Sequence, residues 1–379
     1  MMFQFTEEQK MIREMVREFT KIEVEPRDKW MDENGFDYEL HKKLTQAGLM
    51  GIHLEEKYGG GGGDPVTSII VIHEIAKGSA SAALFLDANW LAADLILYHG
   101  TEAQKDKYLP QAAQGKIFAF GLTEASGGSD AAAIKSTVVP AADGGWVMNG
   151  GKAWITNSGV ADYYIILAKT DPEAGAKGIS AFIVPKDAEG LAIGKFEDKM
   201  GMRGSATCEL AFNNLRLPAD ALLGQLGMGF KYAMQALDGA RISIGAIAAG
   251  LSEHAMNIAR SYANERVCFG KPIGKFQGIQ FKFADMAAEI RAMELMTYDT
   301  AKMKAEGLRH TLEAAETKLF SGTRCTQICL ECQQILGGNG YSKEFHVERF
   351  VRDAKLLEIG EGTNEILRML IGGTVLAQK

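Results

Sequence analysis

Two changes of texture divide this 379-residue chain and limit what it can fold into. Up to about residue 116, apolar residues recur at helical spacing or run on in stretches too long for strands. Near Lys116 the pattern changes. KSTVVPAADGGWVMNGGKAWITNSGVADYYIILAKT carries β-branched and aromatic residues between closely spaced turn signals. Asp143-Gly144 and Asn149-Gly150 read as hairpin-type turns. GISAFIVP, residues 178–185, reads as a short strand bounded by Gly and Pro. After residues 215–230 helical spacing returns, in segments near 228–263, 276–306, 311–335 and 363–377. Strands set apart from helices argue against a parallel βαβ sheet and for an α+β, mainly α, chain.

Local signals refine this order. Thr6-Glu7-Glu8-Gln9 has the form of a capping box, and Ile12, Met15, Val16 and Phe19 follow at helical spacing. A second helix is expected over 38–48, ending at Gly48. YGGGGGDP, residues 58–65, reads as a flexible break before a long apolar stretch, 66–100, whose length favours buried helices. With 46% hydrophobic residues the chain can bury a large core. Its net charge of −7 excludes nucleic acid and anionic membranes as general partners. The charged N-terminus has no signal-peptide h-region, and the longest apolar run, 242–251, is too short to cross a bilayer. These features predict a cytoplasmic protein with no membrane span.

Several chemistries are excluded by their own motifs. GGWVMNGGKA superficially resembles a Walker A loop, but Lys152 is followed by Ala153 rather than Ser or Thr. No G-x-G-x-x-G opens a helix after a strand, so a bound dinucleotide would not use a Rossmann loop. The seven histidines are scattered, and His73-Glu74 lacks the second His of H-E-x-x-H, so no metal site is expected. There is no G-x-S-x-G elbow. Cys325, Cys329 and Cys332 have the spacing of a radical-SAM iron–sulfur loop, but the same spacing makes one stripe of a helix. The helical context and the absence of preceding βα units favour the stripe. Ser126 and Ser129 in TEASGGSDAA mark either a plain turn or a nest of N–H groups.

GLTEASGGSDAA, KAWITNSG, EDKMGMRGSAT, LDGARISIGA, ANERVCFGKPIGKFQGIQFKFADM, QQILGGNGYSKEFHVERFVRDAK and EIGEGTNEI follow one another over nearly the whole chain. In this order they resemble the acyl-CoA dehydrogenase family. The resemblance implies an N-terminal helical domain, here 1–117, a middle β-barrel or sandwich domain, 118–224, and a C-terminal four-helix bundle, 225–379. It also implies FAD bound in extended form between the last two. Phe120, Leu122, Thr123 and Ser129 match positions that contact flavin and substrate, and Trp154 and Thr156 the pair beside the isoalloxazine. Arg266, Phe269 and Gln277, and also Gln334, Gly337 and Gly338, match segments that reach the FAD of a neighbouring subunit. Thr363 and Glu365 match further cofactor contacts. Asp238 and Arg241 match the thioester-binding segment, with Ser129, Gly360 and Gly362 also at the substrate. A shared cofactor site implies a homo-oligomer, a tetramer in most relatives.

Glu361 matches the family's catalytic base. The implied chemistry removes an α-proton from a short-chain acyl-CoA thioester while hydride leaves the β-carbon for the flavin, or runs in reverse as enoyl-CoA reduction. Electrons pass to or from an electron-transfer flavoprotein. A dry pocket would raise the base's pKa towards working pH, while a helix N-terminus just downstream would lower it. The family's other base position is Ala240 here, which cannot take a proton. Most relatives carry a bulky residue, often Tyr, before the base; this chain has Gly360, which predicts a wider pocket suited to an aryl acyl group such as caffeyl. Two other readings are an acyl-CoA oxidase using O2, typically a much longer chain, and a non-catalytic flavin-binding subunit of an electron-transfer complex.

Overall fold

The computed structural model describes residues 4–377. Helix α1 (Glu7–Phe19) opens on the capping box: the Gln9 N–H donates to Thr6 Oγ1 and the Thr6 N–H to Gln9 Oε1. It continues through a π-helical turn, Thr20–Val24, into α2 (Glu25–Asn34). α3 (Tyr38–Gln46) is capped by Asp37 and followed by Gly48 at φ +72°. The glycine run before α4 (Pro65–Ala76) is not a flexible break. The N–H groups of Gly61, Gly62 and Gly63 donate to the carbonyls of Gly51, Leu54 and Ile52. A Cβ on Gly63 would stand 2.8 Å from Ile52 O, and one on Gly60 would overlap the Leu54 carbonyl. Glycine is needed there because two stretches of backbone touch.

α4 and α5 (Ala80–His99) form the centre of the N-terminal part, with α6 (Glu102–Ala113) after them. Among the described residues α5 is the one helix long and apolar enough to cross a membrane, and 83% of its apolar window is buried inside the protein. α1 is tied to α4 by Arg13 and Arg17, whose guanidinium groups meet the buried Glu74 at 2.7 and 3.3 Å. These cations and Lys77 outweigh burial and hold the Glu74 carboxyl down at about 2.

The middle of the chain forms one mixed sheet. Its strands are β1 (Phe118–Gly121), β2 (Thr137–Pro140), β3 (Trp146–Thr156), β4 (Tyr163–Lys169), β5 (Ile179–Pro185), β6 (Leu191–Phe196), β7 (Thr207–Leu217) and β8 (Leu222–Leu223). They run in the order β6-β7-β3-β2-β4-β5-β8, with β1 parallel to β4. The β2–β3 hairpin turns at Asp143-Gly144, with Gly144 at φ +86°. Asn149-Gly150 makes no turn. It lies inside β3 at a register shift against β7, with Gly150 at φ +130° and its missing Cβ replaced by close contact with Ser136. The local signal there marks a bulge, because strand β7 pairs straight across it.

The C-terminal part has four long helices, α7 (Gly229–Glu265), α8 (Gln277–Ala305), α9 (Thr311–Leu336) and α12 (Asn364–Ala377). A small hairpin, β9 (Val267–Cys268) and β10 (Lys271–Pro272), joins α7 to α8. The short helices α10 (Gly338–Tyr341) and α11 (Val347–Ala354) lie between α9 and α12. Small residues let α7 sit at the centre. A Cβ on Gly250 would stand 2.5 Å from His73 O on α4, and one on Gly245 2.7 Å from Thr317 Cγ2 on α9. Cys325, Cys329 and Cys332 are fully buried along one face of α9, where burial pushes the Cys332 thiol up to about 12. They act as small core side chains.

Candidate active site

The site is built where the segment before α12 crosses α9. Gly322 admits it: a Cβ there would stand 2.5 Å from Leu357 O. After a 3-10 turn at Lys355–Glu358, the Gly360 N–H donates to Leu356 O at 2.8 Å, and the chain then turns left-handed at Glu361 (φ +55°) and Gly362 (φ +97°). A non-glycine residue there costs on the order of 1 kcal/mol and persists only when its surroundings hold it. Arg241 Nε donates to Glu361 O at 3.3 Å, and Lys318 Nζ to Gly362 O at 2.6 Å and Asn364 Oδ1 at 3.3 Å. Arg241 is itself aimed by Asp238, 2.8 Å from its Nη1, and Asp238 accepts a further bond from the Thr311 hydroxyl at 2.7 Å.

Burial raises the Glu361 carboxyl above its ordinary range, and the Arg241 and Lys318 charges pull it down without cancelling that rise. Lys318 is fully buried and has its ammonium pushed down to about 8 by desolvation, against the attraction of Glu361. Asp87, on α5, is pushed up to about 8, first by burial and also by the Glu361 charge. Asp87, Trp90, Leu91, Asp238, Ala240 and Lys304 line a cavity of about 600 Å³ between α5 and α7, within the size range of small-molecule sites.

The structure gathers Asp238, Arg241, Gly360, Glu361, Gly362 and Thr363 in one place. Glu365 points outward from the first turn of α12 and pairs with Arg368. Phe120, Leu122 and Thr123 lie at the end of β1 beside Trp154 and Thr156 of β3, joined by the Ala153 N–H donating to Thr123 O at 3.0 Å. Ser129 is exposed in the loop that follows. Arg266, Phe269, Gln277, Gln334, Gly337 and Gly338 are all exposed, at the far end of the bundle, where Asn339 bonds the Tyr262 hydroxyl at 3.0 Å. Gln334 is sixteen residues beyond Lys318, about 24 Å along α9. In one chain these six residues stand apart from Glu361.

The residues assigned to FAD suit a planar ring. Trp154 is 62% exposed at φ +60°, on a register shift of β3, so a large indole is held out in a strained conformation with its face open. Phe120, Leu122, Thr123 and Thr156 would hold the ring beside it. Lys318 and Asp87 are site residues not predicted from sequence. A lysine in the run Ala314, Ala315, Lys318, Ser321, Gly322 breaks an otherwise apolar or small helix face, and that was a readable signal, because an unpaired lysine is almost never fully buried. Asp87 interrupts an apolar stretch in the same way.

Three family models match in chain order: "Acyl-CoA dehydrogenase, N-terminal domain" at 6–116, the middle domain at 119–215 and the C-terminal domain at 227–376. The chain is 44% identical over 376 residues to the short-chain-specific acyl-CoA dehydrogenase of Clostridium acetobutylicum, covering 98% of this chain and 99% of that one. It is 41% identical over 377 residues to the acryloyl-CoA reductase (NADH) of Anaerotignum propionicum, covering 99% and 96%. Its fold matches a chain in a structure described as the electron transferring flavoprotein of Acidaminococcus fermentans, towards a mechanism of flavin-based electron bifurcation, with a TM-score of 0.98, 41% identity and full coverage of both chains. On these matches the chain belongs to the acyl-CoA dehydrogenase family and is an FAD-dependent oxidoreductase.

Proposed function

We propose that Glu361 is the base that takes the α-proton of a short-chain acyl-CoA thioester. The observation that carries this reading is its position. The carboxyl is raised by burial, and Arg241 and Lys318 hold the backbone on either side of it. A base near working pH transfers a proton more efficiently than an ordinary glutamate. The Glu361 N–H donates to no carbonyl among the described residues, which leaves it to stabilise the thioester oxygen as charge develops there. Bound FAD would accept the β-hydride. Gly360 carries no side chain, and a Cβ there would meet only Leu356, at 3.5–3.9 Å, ordinary contact, so close packing against that first atom does not require the glycine. The missing side chain supports an aryl-substituted acyl group, such as the arylpropionyl/arylacryloyl pair of caffeyl-CoA chemistry. The exposed Arg266, Phe269, Gln277 and Gln334, remote from their own Glu361, support a homotetramer in which each subunit completes a neighbour's cofactor site. The likeness to a chain in the electron-transferring flavoprotein structure supports such a flavoprotein as electron partner.

The test is anaerobic bleaching of the flavin by butyryl-CoA and by 3-phenylpropionyl-CoA. Glu361→Gln should bind both but slow bleaching by about 10²–10⁴-fold, the usual contribution of a general base. Bleaching at the wild-type rate would remove Glu361 from the mechanism.

A further inference from the structure

The cavity between α5 and α7 carries polar groups that proton abstraction does not use. His53 and Asp94 stand side by side on its wall, with His53 Nε2 3.3 Å from Asp94 Oδ1. The His53 side chain is 7% exposed, yet neither ring nitrogen makes a hydrogen bond within the described chain, and neither does that Asp94 oxygen. Each buried polar atom left this way carries a desolvation penalty. Three of them converge on one stretch of cavity wall, against the Trp90 ring, whose centroid is 5.0 Å from that of His53. We propose that this end of the cavity recognises a hydroxyl group carried at the far end of the acyl chain, bridging His53 and Asp94 from the cavity side. This rests on the acyl-CoA reading of the site.

The charges around the cavity select the ligand's chemistry. An ammonium group, though drawn to Asp94, would meet the like charge of Lys304, whose Nζ reaches within 2.7 Å of where a Gly239 Cβ would stand. A carboxylate would meet the Asp94 side chain. A neutral hydroxyl meets no like charge, and it can donate to Asp94 while accepting from a His53 N–H. Burial holds His53 below its ordinary pKa, so its ring is neutral and offers one donor and one acceptor. Asp87, whose carboxyl is raised in part by the Glu361 charge, marks the end of the cavity nearest the base. Asp94 is seven residues further along α5, about 10 Å away. The hydroxyl is therefore remote from the reacting carbons, and the atoms between pass Trp90 and Leu91, which suit a flat apolar spacer such as a phenyl ring.

The experiment compares 3-(4-hydroxyphenyl)propionyl-CoA, 3-phenylpropionyl-CoA, 6-aminohexanoyl-CoA and butyryl-CoA as reductants of the holoenzyme's flavin, in wild type and in Asp94→Asn and His53→Phe. Wild type should favour the hydroxyphenyl over the phenyl compound by at least tenfold in kcat/KM. Each variant should bring that ratio close to one. A wild-type ratio near one, a ratio unmoved by both substitutions, or a preference for the amino compound overturns the inference while butyryl-CoA bleaching leaves the acyl-CoA reading standing. Bleaching by none of the four overturns both.

Discussion

Replacing Lys318 by Met tests how the base is poised. The ammonium is fully buried and donates to Gly362 O and Asn364 Oδ1 at 2.6 and 3.3 Å. Met keeps the volume of the stem and removes the charge. Two effects on stability oppose each other. Losing the donor to two buried acceptors costs about 1.5–3 kcal/mol. Against that, a lysine pushed from 10.5 to about 8 carries a charged-state penalty of about 3 kcal/mol, which Met does not bear. The melting temperature should therefore move by no more than a few degrees. The effect on Glu361 has no such offset. Lys318 binds the carbonyl of the next residue, so its charge lies within about 8 Å of the Glu361 carboxylate by chain geometry. At an effective dielectric constant near 20 that attraction is about 2 kcal/mol, or about 1.5 pKa units. Without it the carboxyl rises further, and a base that works ionised needs a higher pH. The acid limb of kcat/KM for butyryl-CoA should shift upward by about one unit, with roughly a tenfold loss at pH values below the wild-type limb. The two profiles should converge above pH 8, where Lys318 itself loses its proton. An unmoved acid limb, or an equal loss at every pH, would refute the reasoning.

Three further outcomes follow from the same contacts. Gly360→Tyr, whose Cβ would meet nothing closer than 3.5 Å, should cut turnover of 3-phenylpropionyl-CoA sharply while sparing butyryl-CoA; equal loss on both would end the wide-pocket idea. Asp87, at about 8 in the fold and about 3.9 when unfolded, keeps a proton that the unfolded chain releases. Its contribution to stability is thus full at acid pH and declines between pH 4 and 8, by up to about 1.4 kcal/mol per pH unit. Asp87→Asn should narrow the difference in melting temperature between pH 5 and pH 8, and an unchanged difference would show that Asp87 ionises freely in the fold. Gly250→Ala puts a methyl 2.5 Å from His73 O and forces α4 and α7 apart, so urea unfolding should show a loss of about 1–3 kcal/mol; an unchanged midpoint would mean the helices separate freely.

What the sequence determined by itself is what depends on neighbours along the chain. The Thr6–Gln9 box, the stop at Gly48, the turn at Asp143-Gly144 and the four C-terminal helices are set by spacing and turn chemistry within a few residues, and all were legible. The segment around Glu361 was legible only through its resemblance to a family. The tertiary structure decided whatever needed a partner distant in sequence. Asn149-Gly150 became a bulge because β7 runs across it, and the glycines of 58–65 became a tightly packed crossing because residues 51–54 lie against them. The contest at Glu361 between a dry pocket and nearby positive charge was settled the same way. Arg241 comes from α7 and Lys318 from α9, 120 and 43 residues away, and the carboxyl still stays high because the elements packed around it exclude water. Burial and Coulomb energy depend on distance in space, and no stretch of sequence a few residues long contains that distance.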